Sequence, residues 1–150
     1  MPSLLLDDTR IQSKFFFDTN IFIYSVDRSE PKKQGIANQL IRSSLDNANG
    51  AVSYQVVQEF LNTSLRKFAK TVNGADCFDY LREVFEPMLA VESSLGLFDE
   101  ALVIYNRYKL SWYDSLIVAA AIEAKCDVLY TEDMQHGQRF GELVVTNPFL

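Results

Sequence analysis

Several carboxylates in this chain stand where a folded protein has to account for them. Asp18 follows three phenylalanines in FFFDTNIFIY (15–24), so a run suited to burial ends on an ionised group. Asp114 opens the helical stretch SWYDSLIVAAAIEAK (111–125). Stepped at about 100° per residue, its face continues through Ile117, Val118 and Ala121, the side that must be buried. Glu132 and Asp133 come directly after the apolar run DVLYT (127–131). An unpaired carboxylate taken out of water is costly, so each such group needs hydrogen-bond donors or a cation. For Asp114 both remain open: Ser111 to Asp114 has the spacing of a capping box, and a carboxylate in a first turn favours the helix dipole.

Other chemistry-bearing residues carry less. Glu59 falls in a polar stripe with Gln55, Asn62 and Arg66, on a helix whose apolar face runs through Val57, Phe60, Leu61, Ser64 and Phe68. On that pattern alone it is a solvated surface charge. His136, the single histidine, lies in polar sequence and reads as a surface residue. Cys77 and Cys126 have no second pair and no histidine at a useful spacing, so they read as reduced core thiols rather than a disulfide framework, a metal site or a nucleophile. Glycine-rich phosphate loops are absent.

The elements that must position these acids follow from local pattern. Phe15 to Phe17 is a short buried strand, and Asn20 can cap a helical turn behind it. Pro31 starts a helix to about Asp46, which NANG (47–50) stops. Ala51 to Ser53 is a strand and Tyr54 to Lys70 a long helix. Gly74 to about Glu86 is a helix ended by Pro87, and Met88 to Val91 a strand. Helices over Leu95–Tyr108 and Trp112–Lys125 precede the strand DVLYT, a polar loop and a last strand ELVVT (142–146). Short strands alternating with helices imply an α/β fold of three layers, α/β/α, with a small, mainly parallel sheet flanked by helices. In such sheets ligands bind beyond the carboxyl ends of the strands, and Asp18 and the Glu132–Asp133 pair lie at two such ends.

Composition sets the frame. With 150 residues, 48% of them hydrophobic, the chain is the size of one domain with a full core, spanning 1–150. The net charge of −6 excludes a broad basic surface for holding nucleic acid. It leaves room for a nucleic-acid enzyme that meets phosphates through a bound cation and a small cluster of Lys and Arg. No apolar run reaches the roughly 18 residues that span a bilayer. MPSLLLDDTR has too short an apolar run and the wrong charge for a secretion signal, so a cytoplasmic location is expected.

DTNIFIY (18–24), QEF (58–60), SWYDSLIVAAA (111–121) and TEDMQHG (131–137), in this order, resemble the PIN-domain family, and more narrowly the VapC-type toxins of bacterial and archaeal toxin–antitoxin pairs. The resemblance covers about Lys14 to Phe149. It implies the PIN fold and cleavage of RNA with Mg²⁺ or Mn²⁺. Residue by residue, Asp18, Glu59, Asp114 and Asp133 match the family's acidic quartet, with Asp18, Asp114 and Asp133 as metal ligands and Asn20, Thr131 and Glu132 in support. It also implies a homodimer and a small antitoxin partner. Two departures stand out. Residues 1–13 are longer than the usual lead-in, either an extension or a different start, and Glu132 beside Asp133 leaves open which acid faces the metal.

Such a set suits hard divalent ions, which take oxygen ligands and, for Mg²⁺, keep several waters. The ion would polarise the scissile phosphate and lower the pKa of its water, while Lys32, Lys33, Arg66, Lys67 and Lys70 hold the flanking RNA backbone. Each of these cations also reads as an ordinary solvated charge. Two other classes share the strand-tip acid. Response-regulator receivers and haloacid-dehalogenase phosphatases use it with Mg²⁺ as a phosphoryl acceptor. The phosphatase pattern wants a second Asp where this chain has Asn20, and Glu59 and Asp114 have no role there. A non-catalytic binding module on the same fold would not need all four acids.

Overall fold

The computed structural model describes residues 13–68 and 74–150. Strand β1 (Phe15–Phe17) hands the chain directly to helix α1 (Thr19–Val26), with only Asp18 between them. Asp18 itself, in extended conformation, is the N-cap, and its Oδ1 accepts from the Thr19 N–H at 2.7 Å. The cap expected at Asn20 therefore sits two residues earlier, because no loop separates strand from helix. Helix α2 (Pro31–Asn47) ends at Ala48, left-handed at φ 53°. Strand β2 (Gly50–Ser53) then runs straight into α3 (Tyr54–Lys67). Helix α3 closes at Lys67 with Phe68 as its C-cap, short of the end expected at Lys70; residues 69 and 70 lie outside the described residues.

Helix α4 (Gly74–Tyr80) continues through a π-helical turn (Leu81–Phe85) into a short helical segment (Glu86–Met88), so Pro87 does not end it as expected. Proline offers no N–H; the turn before it widens instead, with the Glu86 N–H bonded to the Leu81 carbonyl five residues back. Strand β3 (Leu89–Val91) follows, then α5 (Leu95–Tyr108), α6 (Trp112–Glu123) and β4 (Val128–Tyr130). Ser94 and Ser111 cap α5 and α6, their hydroxyls accepting from the N–H groups of Leu97 and Asp114. In the segment read as a loop, β5 (Arg139–Phe140) pairs antiparallel with β6 (Leu143–Thr146) around Gly141, at φ 64°. Only two residues long, it carries no periodicity to read.

The strands line up in the order β3-β2-β1-β4-β6-β5, all parallel except β5. The chain steps outward from β1 to β2 to β3, then crosses back to β4 on the other side of β1. Right-handed crossovers in opposite directions place α1–α4 on one face and α5–α6 on the other. Contacts agree: α1 packs on α2 and α3, and α5 on α6. Phe16, Phe17, Phe22, Phe60 and Phe85 are fully or almost fully buried. The Phe22 and Phe60 rings meet Phe85 edge-on at 4.9 and 5.1 Å. Ser115 through Ala121 of α6 are all buried, as fits a helix that is apolar on every side and lies between α5 and β2.

Gly50 is a tight point in this packing, where β2 passes α2 and the end of the α4 segment. A Cβ there would stand 2.6 Å from Met88 Cε and 2.8 Å from Ser44 Cβ. Gly50→Ala should lower unfolding free energy by roughly 1–3 kcal/mol in a denaturant titration, as overpacking does. An unchanged midpoint would mean that Ser44 and Met88 yield freely.

Candidate functional site

Strand order reverses between β1 and β4, which places their carboxyl ends at the switch point of the sheet. The two strands run in register, Phe17 beside Tyr130, and the Asp18 N–H extends the ladder to the Tyr130 carbonyl at 3.0 Å. Asp18 and Thr131 therefore emerge side by side, both buried. The Thr131 hydroxyl donates to Asp18 Oδ2 at 2.8 Å. It also accepts from Asn20 Nδ2 at 3.2 Å and from the Asp133 N–H at 3.1 Å, so one hydroxyl ties together both strand ends. Asn20 Nδ2 also donates to Asp133 Oδ2 at 3.1 Å, and Asn20 Oδ1 accepts from the Glu132 N–H at 3.2 Å.

Helices bring the remaining acids. Glu59 of α3 accepts from the Thr19 hydroxyl at 3.4 Å. Its surface position agrees with the helical pattern, yet it faces the site because α3 packs on α1. Asp114 stands in the capped first turn of α6. Electrostatics joins all four groups. Burial pushes the Asp18 carboxyl up to about 7, against the bonds from Thr131 and Thr19, and the charges of Asp133 and Glu59 add to the rise. Glu59 is raised by loss of water, opposed by bonds from Gln55 and Thr19, and raised further by Asp114 and Asp133. Asp114 is raised by burial, opposed by Ser111, and raised further by Asp133. Asp114 is thus capped and also within the field of the cluster; its two readings do not compete.

Glu132 turns away. Its Oε1 accepts from the Tyr24 hydroxyl and its Oε2 from Lys33 Nζ, leaving Asp133 as the member of the pair whose carboxylate accepts from Asn20. Of the cations expected along RNA, Lys33 is engaged in this ion pair. Lys32 is exposed, as are Arg66 and Lys67 in the last turn of α3, roughly 10 Å along its axis from Glu59. Lys70 lies outside the described residues. Sequence pattern did not single out Thr19 and Tyr24 as partners of the acids, since neither is unusual in the first turns of a helix.

Among the described residues, no three His, Cys, Asp or Glu side chains converge tightly enough to cage an ion by themselves. The donor types nevertheless fit a hard divalent cation: carboxylate oxygens at a strand-end crevice, held by neutral hydroxyl and amide groups. Mg²⁺ needs only one or two carboxylates and keeps several waters. The raised carboxyl groups are those that a neighbouring positive charge would relieve.

Compared with models of protein families, residues 15–139 match the PIN domain. Among solved structures the fold is similar to a chain described as "Toxin-antitoxin complex from Klebsiella pneumoniae", with a TM-score of 0.61 and 18% identity over 90% of this chain and 98% of that one. At that identity the likeness is one of fold. Comparison with curated proteins gives no match.

Asp18 makes stability depend on pH with a definite sign. Its folded pKa lies above the unfolded value, so its contribution is fully present below about pH 4 and is lost as pH rises through about 7. The loss is at most on the order of 4 kcal/mol. Wild type in EDTA should therefore melt higher at pH 5 than at pH 8. Asp18→Asn, with an amide that still caps, should flatten that slope and melt at or above wild type at pH 8. A mutant equally destabilised at both pH values would reduce Asp18 to a cap.

Proposed function

The chain belongs to the PIN-domain family, and from that premise we propose that it is a Mg²⁺- or Mn²⁺-dependent endoribonuclease, the toxin of a toxin–antitoxin pair. The observation that carries the reading is the Thr131 hydroxyl bridging Asp18, Asn20 and Asp133, which brings two strand-end acids into one bonded unit facing Glu59 and Asp114. Members of the family are generally nucleases. A receiver or phosphatase would use Asp18 alone as acceptor and give the helix-borne acids no task.

Asp18, Asp114 and Asp133 would hold the ion. When bound, it supplies Lewis-acid polarisation of the phosphate and lowers the pKa of a water. Thr131 and Asn20 keep the Asp18 and Asp133 carboxylates in place. Glu59 is exposed and held by Thr19, and loss of water raises its carboxyl above the ordinary range, which suits it to take a proton from the attacking water. His136 is not needed for that step, and its Nδ1 already accepts from the Asn147 N–H. Lys32, Arg66 and Lys67, with Lys70, would follow the RNA backbone on either side of the cluster.

An antitoxin that masks the acidic face, and a homodimer, complete the reading. The fold likeness to a chain from a toxin–antitoxin complex supports the first. Among the described residues, no helix is long and apolar enough to cross a membrane. Action in the cytoplasm, on RNA, belongs to the same proposal.

Purified protein should cleave single-stranded or looped RNA with Mn²⁺ or Mg²⁺ and stop in EDTA. Asp18→Asn, Asp114→Asn and Asp133→Asn should each slow cleavage on the order of a hundredfold or more while keeping the wild-type circular dichroism. Cleavage that survives EDTA, or survives these variants, sinks the metal mechanism. Stabilisation by beryllium fluoride without RNA cleavage would point to phosphoryl transfer instead.

A further inference from the structure

Behind Glu132, away from the acidic cluster, the structure holds a second bonded group. The Tyr24 hydroxyl donates to Glu132 Oε1 at 2.6 Å, and Lys33 Nζ donates to Glu132 Oε2 at 2.7 Å and to the Tyr24 oxygen at 3.3 Å. The ammonium lies 4.7 Å from the centre of the Tyr24 ring and 5.6 Å from that of Phe149, and the two rings meet edge-on at 5.0 Å. Both members of the ion pair are partly shielded, 32% and 27% exposed, so the pair is firmer than an open surface contact.

The geometry gives this group a lever on the cluster. Glu132 is attached twice, through its carboxylate to α1 and α2 and through its backbone N–H to Asn20 Oδ1. Once the oxygen of the Asn20 amide is engaged there, its NH₂ must face the opposite way, where it donates to Thr131 and Asp133. Asp133 is the next residue in the chain, so the anchor of Glu132 also sets where the Asp133 carboxylate stands. Both oxygens of the Glu132 carboxylate are taken, one by the Tyr24 hydroxyl and the other by the Lys33 ammonium. The acid beside the cluster is thereby neutralised by its own cation.

We propose that Lys33, Tyr24 and Glu132 form a latch that orients Asn20 and Asp133 for metal binding, which makes Lys33 a positioning residue and not an RNA contact. The inference rests on the metal-dependent reading above. Partners that orient metal ligands commonly change affinity or activity by about 10–100-fold when removed.

The test compares Lys33→Met, Glu132→Gln, their double variant, and Tyr24→Phe, which keeps the ring. In metal-free protein, amide hydrogen exchange at Glu132 and Asp133 should quicken about tenfold or more in the first two, with Leu129 in β4 unchanged. Mn²⁺ titration calorimetry without RNA should show binding weakened about 10–100-fold. In RNA cleavage kcat should fall with KM little changed, the double variant should be no worse than the poorer single one, and Lys33→Arg should restore most of the loss. Tyr24→Phe should move the same readouts in the same direction by less. A rise in KM alone for Lys33→Met, with Glu132→Gln silent, would make Lys33 a phosphate contact and overturn the latch. Equal quickening at Leu129 would assign the group to general stability and overturn it as well. If wild type neither binds Mn²⁺ nor cleaves RNA, the nuclease reading fails, whereas the exchange data still judge the latch.

Discussion

A carboxylate buried at the end of a strand must be solvated by the protein or give up its charge, and the register of β1 against β4 decides how this chain meets that demand. With Phe17 opposite Tyr130, the next residue on each strand is Asp18 and Thr131, and the hydroxyl reaches the carboxylate. One residue of slip would turn Thr131 to the other face of the sheet and leave Asp18 without its side-chain donor. The hydrogen bonds do not fully replace water, so Asp18 stays near neutrality in its pKa. Scaffold and site are therefore set by one pairing: the apolar register that packs the phenylalanines also assembles the acids.

Capping and chemistry draw on the same residues. Asp18 closes the N-terminus of α1 with one oxygen and meets Thr131 with the other. Asp114 lies in a turn whose N–H is held by Ser111, while its carboxyl feels Asp133. Ordinary helix-start chemistry holds two acids at helix N-termini, where the dipole favours negative charge. The cost of gathering like charges is thereby reduced and not removed: Glu59 and Asp114 are raised first by loss of water and then further by their acidic neighbours.

How much of this was legible in the sequence depended on whether a residue conflicted with its surroundings. Asp18 behind three phenylalanines, and Asp114 on the apolar side of its helix, announce themselves because residue type and position disagree. The parallel sheet was readable from short strands alternating with helices. Glu59 was not readable from periodicity, since it does lie on the exposed side of α3; only the packing of α3 on α1 turns that side toward Asp18. The choice between Glu132 and Asp133 was closed to sequence, because neighbours differ only in which distant partners they meet, and Lys33 lies 99 residues away. Asn20 was misread as a cap because its type suits one, while its amide holds Thr131, Glu132 and Asp133 beyond the end of β4. Pro87 was misread as a stop because a widened turn is not visible in a pattern of residue types.

Phe149 packs its ring on Tyr24 and under the Lys33 ammonium, one residue before Leu150. Its N–H is held by Asn147 Oδ1, and the Asn147 N–H by His136 in the loop after β4. The carboxy-terminal segment is thus clasped to the two helices and the loop that frame the acids. An affinity tag or reporter fused after Leu150 would tug on that clasp a few bonds from the site, whereas Asn106, exposed on the outer helix pair, offers a place for a fluorophore or surface tether that leaves it undisturbed.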